Sequence, residues 1–403
     1  MKRSPLLAGA LLLALPILAR AQAAANAPPP PDSARPPAAG ADTTKRDTAN
    51  KSAPAAPNVL TALAGLTLSG YAEASYAVSN HPDGSTITGR LYDRFQNQFS
   101  LDAIKLVLDK PYDAGKWDAG FHTDLLFGQN ATVLHSTGFA LGDQGDITQL
   151  FVTLNVPTPN GNGLQLKAGK MATLMGLEVI EDPSNPNWSE GNLFNYVENF
   201  TNLGVSAEYK WNKHMDTQLR VINGWDVVQD NNNGKSFMGR VGLYPDAVSS
   251  IGLLGYYGPE EAGTDRSKRA GGEILLNRAF GNTSLWLQGD YGHETAGPLL
   301  PDSTRGASWW GGSAWLAYSV SPTVQLALRG DYVNDMNGAR TSGVLGYLSN
   351  TAQKFSSATA TLNLKSWPHT LVRPEIRYDH STLAAYGGRT NQVSFALSAA
   401  YLY

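Results

Sequence analysis

The sequence predicts an all-β protein, a transmembrane antiparallel β-barrel of about 16 strands. Three observations carry this. Apolar and polar residues alternate with a period of two in segment after segment from Leu66 onward. The connections between those segments alternate between short and long. The chain opens with an export signal, yet no later apolar run reaches the roughly 18 residues that a membrane-spanning helix needs. An exported, strand-rich chain can cross a membrane only as a closed barrel, in which every backbone N–H and C=O finds a partner. Composition agrees: 41 Gly, 17 Tyr and 9 Trp accompany only 16% charged residues, against about a quarter in ordinary soluble proteins.

Taken in order, Lys2 and Arg3 precede the apolar run Leu6 to Ala19, and Ala21-Gln22-Ala23 follows. This is the pattern of a secretory signal peptide over residues 1–23. The absence of cysteine excludes a lipoprotein anchor, disulfides, zinc-thiolate sites and a cysteine nucleophile. Residues 24–60 are rich in Pro and Ala and poor in large apolar side chains, so they cannot offset chain entropy. They read as a disordered periplasmic segment, either a spacer or a contact for peptidoglycan or another envelope protein. Residues 61–403 then form the outer-membrane barrel.

In the first strand Leu68, Gly70, Ala72, Ala74 and Tyr76 share one face and Thr67, Ser69, Tyr71, Glu73 and Ser75 the other. Similar segments follow, from 94–109 through to 391–403. The apolar phase slips between Ala103 and Ile104, where a β-bulge would restore register. Short turns are expected at places such as Asn212-Lys213-His214, Gly281-Asn282 and Trp367-Pro368, and long loops at 129–146, 172–199 and 335–352. Short turns at one rim and long loops at the other are what an outer-membrane barrel requires. The last strand ends on Tyr401 and Tyr403, a terminal aromatic pattern suited to the outer-membrane assembly machinery.

If the apolar face meets lipid, charged residues inside strands must face the lumen, because an Arg at mid-bilayer costs about 2–4 kcal/mol. That places Arg220, Arg240, Arg329, Arg373 and Arg377 on the pore wall. The segment 172–199, after the fifth strand, breaks the alternation. It carries five carboxylates (Glu178, Glu181, Asp182, Glu190 and Glu198) and no Lys or Arg. Its apolar residues, among them Trp188, Phe194 and Tyr196, are too many for a solvated loop. It is expected to fold inward, with Glu178, Glu181, Asp182 and Glu190 as constriction residues opposite the basic wall.

The stretch from Thr148 to Tyr209, with QLFVTLNVP, GLQLKAGK and MATLMGLEVIEDPSNPNWSEGNLFNYVENFTNLGVSAEYKW, resembles the OmpL-like putative beta-barrel porins of Gram-negative outer membranes. The opening LTLSGYAEASYAV is similar to that family's first strand. Gly169-Lys170, Gly176, Glu178 and Asn187-Trp188-Ser189 carry the likeness best, although Met171 stands where the family often has an aromatic. The resemblance implies a porin-like barrel and says little about the solute.

The expected function is passive diffusion of small hydrophilic solutes. The alternative is a non-conducting barrel that the loop plugs, with a structural or adhesive role. The expected partners are outer-membrane lipid and lipopolysaccharide, the assembly machinery and, by analogy with porins, two further copies in a homotrimer. A net charge of −3 argues against nucleic acid. His122 and Asp124, His293 and Glu294, and the run Asp230 to Gly234 show no metal-ligand spacing, and no catalytic set is legible. No cofactor, metal site or enzymatic activity is expected.

Overall fold

The computed structural model describes residues 65–139, 141–297, 300, 302–341 and 351–403. The expected signal peptide and Pro/Ala segment lie outside these residues. Period-two alternation becomes pleat throughout the rest. The first eight strands are β1 (Thr67–Ser79), β2 (Gln98–Lys110), β3 (Asp118–Phe127), β4 (Gly145–Val156), β5 (Leu164–Ala172), β6 (Thr201–Asn212), β7 (Met215–Ile222) and β8 (Ser236–Asp246). The second eight are β9 (Ser249–Gly258), β10 (Arg269–Phe280), β11 (Thr283–Glu294), β12 (Ala307–Ser321), β13 (Val324–Asp335), β14 (Gln353–Leu364), β15 (Thr370–Ser381) and β16 (Asn391–Leu402). Among the described residues, two short helices, α1 (Ala131–Leu134) and α2 (Asn192–Tyr196), lie in the long loops.

Each strand pairs antiparallel with its sequence neighbours, and β1 closes on β16 from Tyr71↔Leu402 to Ser79↔Ser394. Closure removes the edges that an open sheet would present to lipid. It also puts the start of β1 and the end of β16 at one rim. The short connections lie at that same rim: two residues join β6 to β7, β8 to β9 and β10 to β11.

The bulge is present one residue away from its expected place. Glu73 opposes Ala103 and Ala74 opposes Leu101, so Asp102 is the extra residue. Asp102 and Ala103 are consequently both buried, whereas Leu101 is exposed and Ile104 is not fully covered. The sequence shows the phase slip but does not say which residue of the pair the ladder leaves out.

The two faces separate as the polarity demanded. On β13, Leu328 is 40% exposed while its neighbour Arg329 is 2% exposed. On β15, Ile376 and Tyr378 are exposed, and Arg373, Glu375, Arg377 and Asp379 are buried. Buried polar residues line the inner face of nearly every strand, and exposed Leu, Val, Phe and Tyr cover the outer face.

Candidate constriction site

Residues 173–200 join β5 to β6. Only the 3-10 turn Asp182–Ser184 and the short α2 interrupt an irregular backbone. Such a backbone, once buried, has no ladder to satisfy its N–H and C=O groups, so side chains must do so. The inner faces of the strands supply them. Glu375 accepts from Trp188 N (2.8 Å) and Ser189 N (3.3 Å), and Asp331 accepts from Asn192 N (3.3 Å) and Asn192 Nδ2 (2.5 Å). Wall arginines donate to the carbonyls: Arg373 to Asp182 O (2.7 Å), Arg377 to Glu190 O (2.6 Å) and Arg329 to Ser189 O. Asn187 Nδ2 donates to Thr361 Oγ1 (2.6 Å), and Asn363 Nδ2 donates to Pro186 O (2.8 Å).

These contacts reach β13, β14 and β15. Others reach strands flanking that arc on either side. Glu181 ion-pairs with Lys105 of β2, Gly176 N donates to Glu273 of β10 (2.8 Å), and Leu177 N donates to Gln288 of β11 (3.0 Å). Aromatic packing adds to this: Tyr196 stacks on Phe355 with centroids 5.0 Å apart, and Phe194 meets Tyr92 at 5.9 Å. Trp188 packs with Ala77 and Ile87.

Of the four loop carboxylates singled out in the sequence, one meets a named wall arginine directly. Glu178 Oε1 lies 2.6 Å from Arg329 Nη1, while its Oε2 accepts from Gly191 N (2.7 Å), tying two parts of the loop together. Glu181 turns to Lys105 instead. Asp182 accepts from Asn130 (2.6 Å) and lies beside Glu190 around a small cavity that Tyr92, Asp93, Asp102 and Trp188 also line. Arg373 also pairs with Glu73 (2.5 Å), and Arg377 with Asp379 (2.8 Å). Arg220 donates to Ala172 O (2.5 Å) and Asn202 Oδ1 (3.1 Å), and Arg240 pairs with Asp216 (3.0 Å), so neither faces a loop carboxylate. The partners that sequence reasoning did not tie to the loop are Lys105, Asp331, Glu375, Glu273 and Gln288. Inward position was legible for Asp331 and Glu375, but nothing in period-two spacing says which inward residue meets which loop atom.

Burial sets the protonation of the acidic pair. Glu190 is pushed up to about 8, by burial first, and Asp182 is raised well above the carboxylate range by burial and then by Glu190. A carboxyl whose pKa rises on folding holds its proton more tightly in the folded state. Its contribution is full below the ordinary value of 4.5 and is lost as pH rises through about 8. Stability is therefore expected to decline across that window. Denaturant midpoints measured through it should fall in the intact protein and change less in Glu190→Gln.

A closed antiparallel barrel, polar inside and apolar outside, with short turns at one rim, is the architecture of outer-membrane β-barrels. The chain belongs to the family described as Putative beta-barrel porin-2, OmpL-like, whose sequence model matches residues 65–403. It is thus an outer-membrane β-barrel with transmembrane strands. Solved structures of similar fold include the anion-selective porin from Comamonas acidovorans, at TM-score 0.59 and 10% identity over 84% of this chain and 99% of that one. The trimer form of Vibrio cholerae OmpT aligns at TM-score 0.57 and 11% identity, over 84% and 99% of the two chains. Pseudomonas putida OprB aligns at TM-score 0.56 and 12% identity, over 86% and 96%. At these identities the likeness establishes the fold. No curated protein matches the chain in sequence.

Proposed function

We propose that the protein is a passive diffusion channel for small hydrophilic solutes, narrowed by the inward-folded loop 173–200. The observation that carries this reading is the distribution of loop contacts around the ring. The loop is bonded to β2 on one side, to β10 and β11 on another and to β13–β15 on a third. On this reading a segment rooted at β5 and β6 that bonds β13–β15, on the opposite side of the ring of sixteen, spans the lumen. The arc from β5 to β8 holds paired charges that keep some solvent access, Lys167 with Glu208 (2.7 Å) and Arg240 with Asp216, the latter pair each 20% exposed. On this reading solutes pass along that arc, between charges of both signs.

The wall and loop charges thus act less as an open transverse field than as a latch, since Arg329, Arg373 and Arg377 are engaged by the loop and by wall carboxylates. The family and fold speak for a channel rather than an enzyme. Assembly as a homotrimer follows by analogy with the trimer form of OmpT. Outer-membrane lipid and lipopolysaccharide would contact the exposed apolar face, and the assembly machinery would receive the last strand, which ends at Tyr401 and Tyr403.

One observation favours the plugged alternative: residues 185–202 are buried without interruption until Asn202. Planar-bilayer recording of the refolded protein decides between the two. Steady, small conductance is the expected result; silence at every voltage would leave a plugged barrel.

A further inference from the structure

A second cluster of the loop and wall stands apart from the arginines. Glu198, near the end of the loop, meets Glu273 of β10 and Asp290 of β11, and one carboxylate oxygen from each lies within 4.8 Å of the others. The three side chains are 4%, 5% and 6% exposed. No Lys or Arg among the described residues ion-pairs with any of them. Among the described residues they accept from two neutral groups, and Glu273 and Asp290 also meet each other carboxyl to carboxyl. Gln288 Nε2 contacts Glu198 Oε1 (2.5 Å), Glu273 Oε1 (2.9 Å) and Asp290 Oδ2 (3.1 Å), and Gly176 N donates to Glu273 Oε1. One amide has two hydrogens to share among three carboxylates.

The second carboxylate oxygens point to a missing positive charge. Glu198 Oε2, Glu273 Oε2 and Asp290 Oδ1 are buried and have no hydrogen-bond partner. Burying one uncompensated carboxylate is strongly unfavourable, and three together repel as well. The amide cannot turn its oxygen inward to relieve this or to act as a ligand, because Leu177 N holds Oε1 on the other side at 3.0 Å. The loop backbone is shaped to admit the cluster: Gly176 has φ +84°, and a Cβ there would lie 2.1 Å from Glu198 Oε2.

We propose that Glu198, Glu273 and Asp290 bind one hard divalent cation, of the calcium type, that fastens both ends of the loop to β10 and β11. Carboxylate oxygens are the ligands that Ca²⁺ prefers, at 2.3–2.6 Å, so donors on one ion stand within about 5 Å of each other. The departing end of the loop meets the site at Gly176 and Leu177, and the returning end supplies Glu198. The ligands come from three separate segments, which is why no spacing in the sequence announces them.

The test is calorimetric titration of CaCl2 into protein refolded in lipopolysaccharide-free detergent after EDTA treatment. The readout is binding, so its failure is distinct from failure of the channel reading. One saturable equivalent is expected, with affinity at least tenfold weaker in the double variant Glu273→Gln/Asp290→Asn. Glu198→Gln, which alters no strand residue, should weaken binding likewise, and retention of the heat-modifiable folded band on gels shows that both variants are folded. Absence of saturable binding to the parent protein, or equal binding by folded Glu198→Gln, would overturn the proposal and leave the three carboxyls neutralised by shared protons.

Discussion

Excision of residues 177–196 is expected to raise single-channel conductance several-fold over that of the intact protein. The barrel does not depend on this segment for closure, because every strand is laddered to both neighbours by backbone hydrogen bonds. The join is short, since Gly176 lies against Glu198 and Thr173 N already bonds Phe200 O at 3.0 Å. Removing the segment uncovers Arg329, Asp331, Glu375 and Arg377, which then exchange loop partners for water. A solvated charge at a lumen wall costs little, whereas the same charge facing lipid would not be tolerated. The variant should therefore fold, with a wider and more charged passage. Equal conductance with and without the segment would mean that the loop does not constrict the route. Large openings in the deletion alone, with the intact protein silent, would identify a plug.

Replacement of Arg373 by Met is the second large effect, a loss of about 3–5 kcal/mol, typical of removing one partner from a buried ion pair. Arg373 is fully buried, bonds Glu73 at 2.5 Å and Ser398 at 3.2 Å, and holds the carbonyl of Asp182 at 2.7 Å. Without it Glu73 remains as a buried carboxylate, and the loop loses its anchor near the closing seam between β1 and β16. Denaturant unfolding in lipid vesicles should show the drop, and Glu73→Gln/Arg373→Met should recover most of it by removing the stranded charge. Arg240→Met is the control. Its pair with Asp216 is partly solvated, so the change should stay within about 1 kcal/mol. A loss at Arg373 no larger than at Arg240 would show that the buried network does not hold the wall.

Local chemistry explains how far the sequence could be read. Leu328 beside Arg329, or Ile376 beside Arg377, has one acceptable orientation when one face meets lipid and the other water, so facing was legible residue by residue. Turn and loop lengths gave the rims, and a phase slip in β2 revealed a bulge to within one residue. The acidic segment was recognisable by its length, its apolar content and its unbalanced charge. Its partners were not. Glu178 found Arg329, but Glu181 found Lys105, and the wall carboxylates Glu375 and Asp331 met loop N–H groups, the latter also the Asn192 side chain.

The structure fixed the number of strands at sixteen. By itself, then, the sequence determined that this chain is a barrel of about that many strands, which face meets lipid where charged residues sit inside a strand, and where the long loop interrupts the pattern. These follow from period-two polarity, a property of neighbouring residues. Only the tertiary structure decided how the loop is held, why three wall arginines are latched rather than free, and that Glu198, Glu273 and Asp290 converge. An irregular backbone has no period to project its side chains, and its contacts with distant strands depend on ring closure, which brings together residues that no local spacing relates.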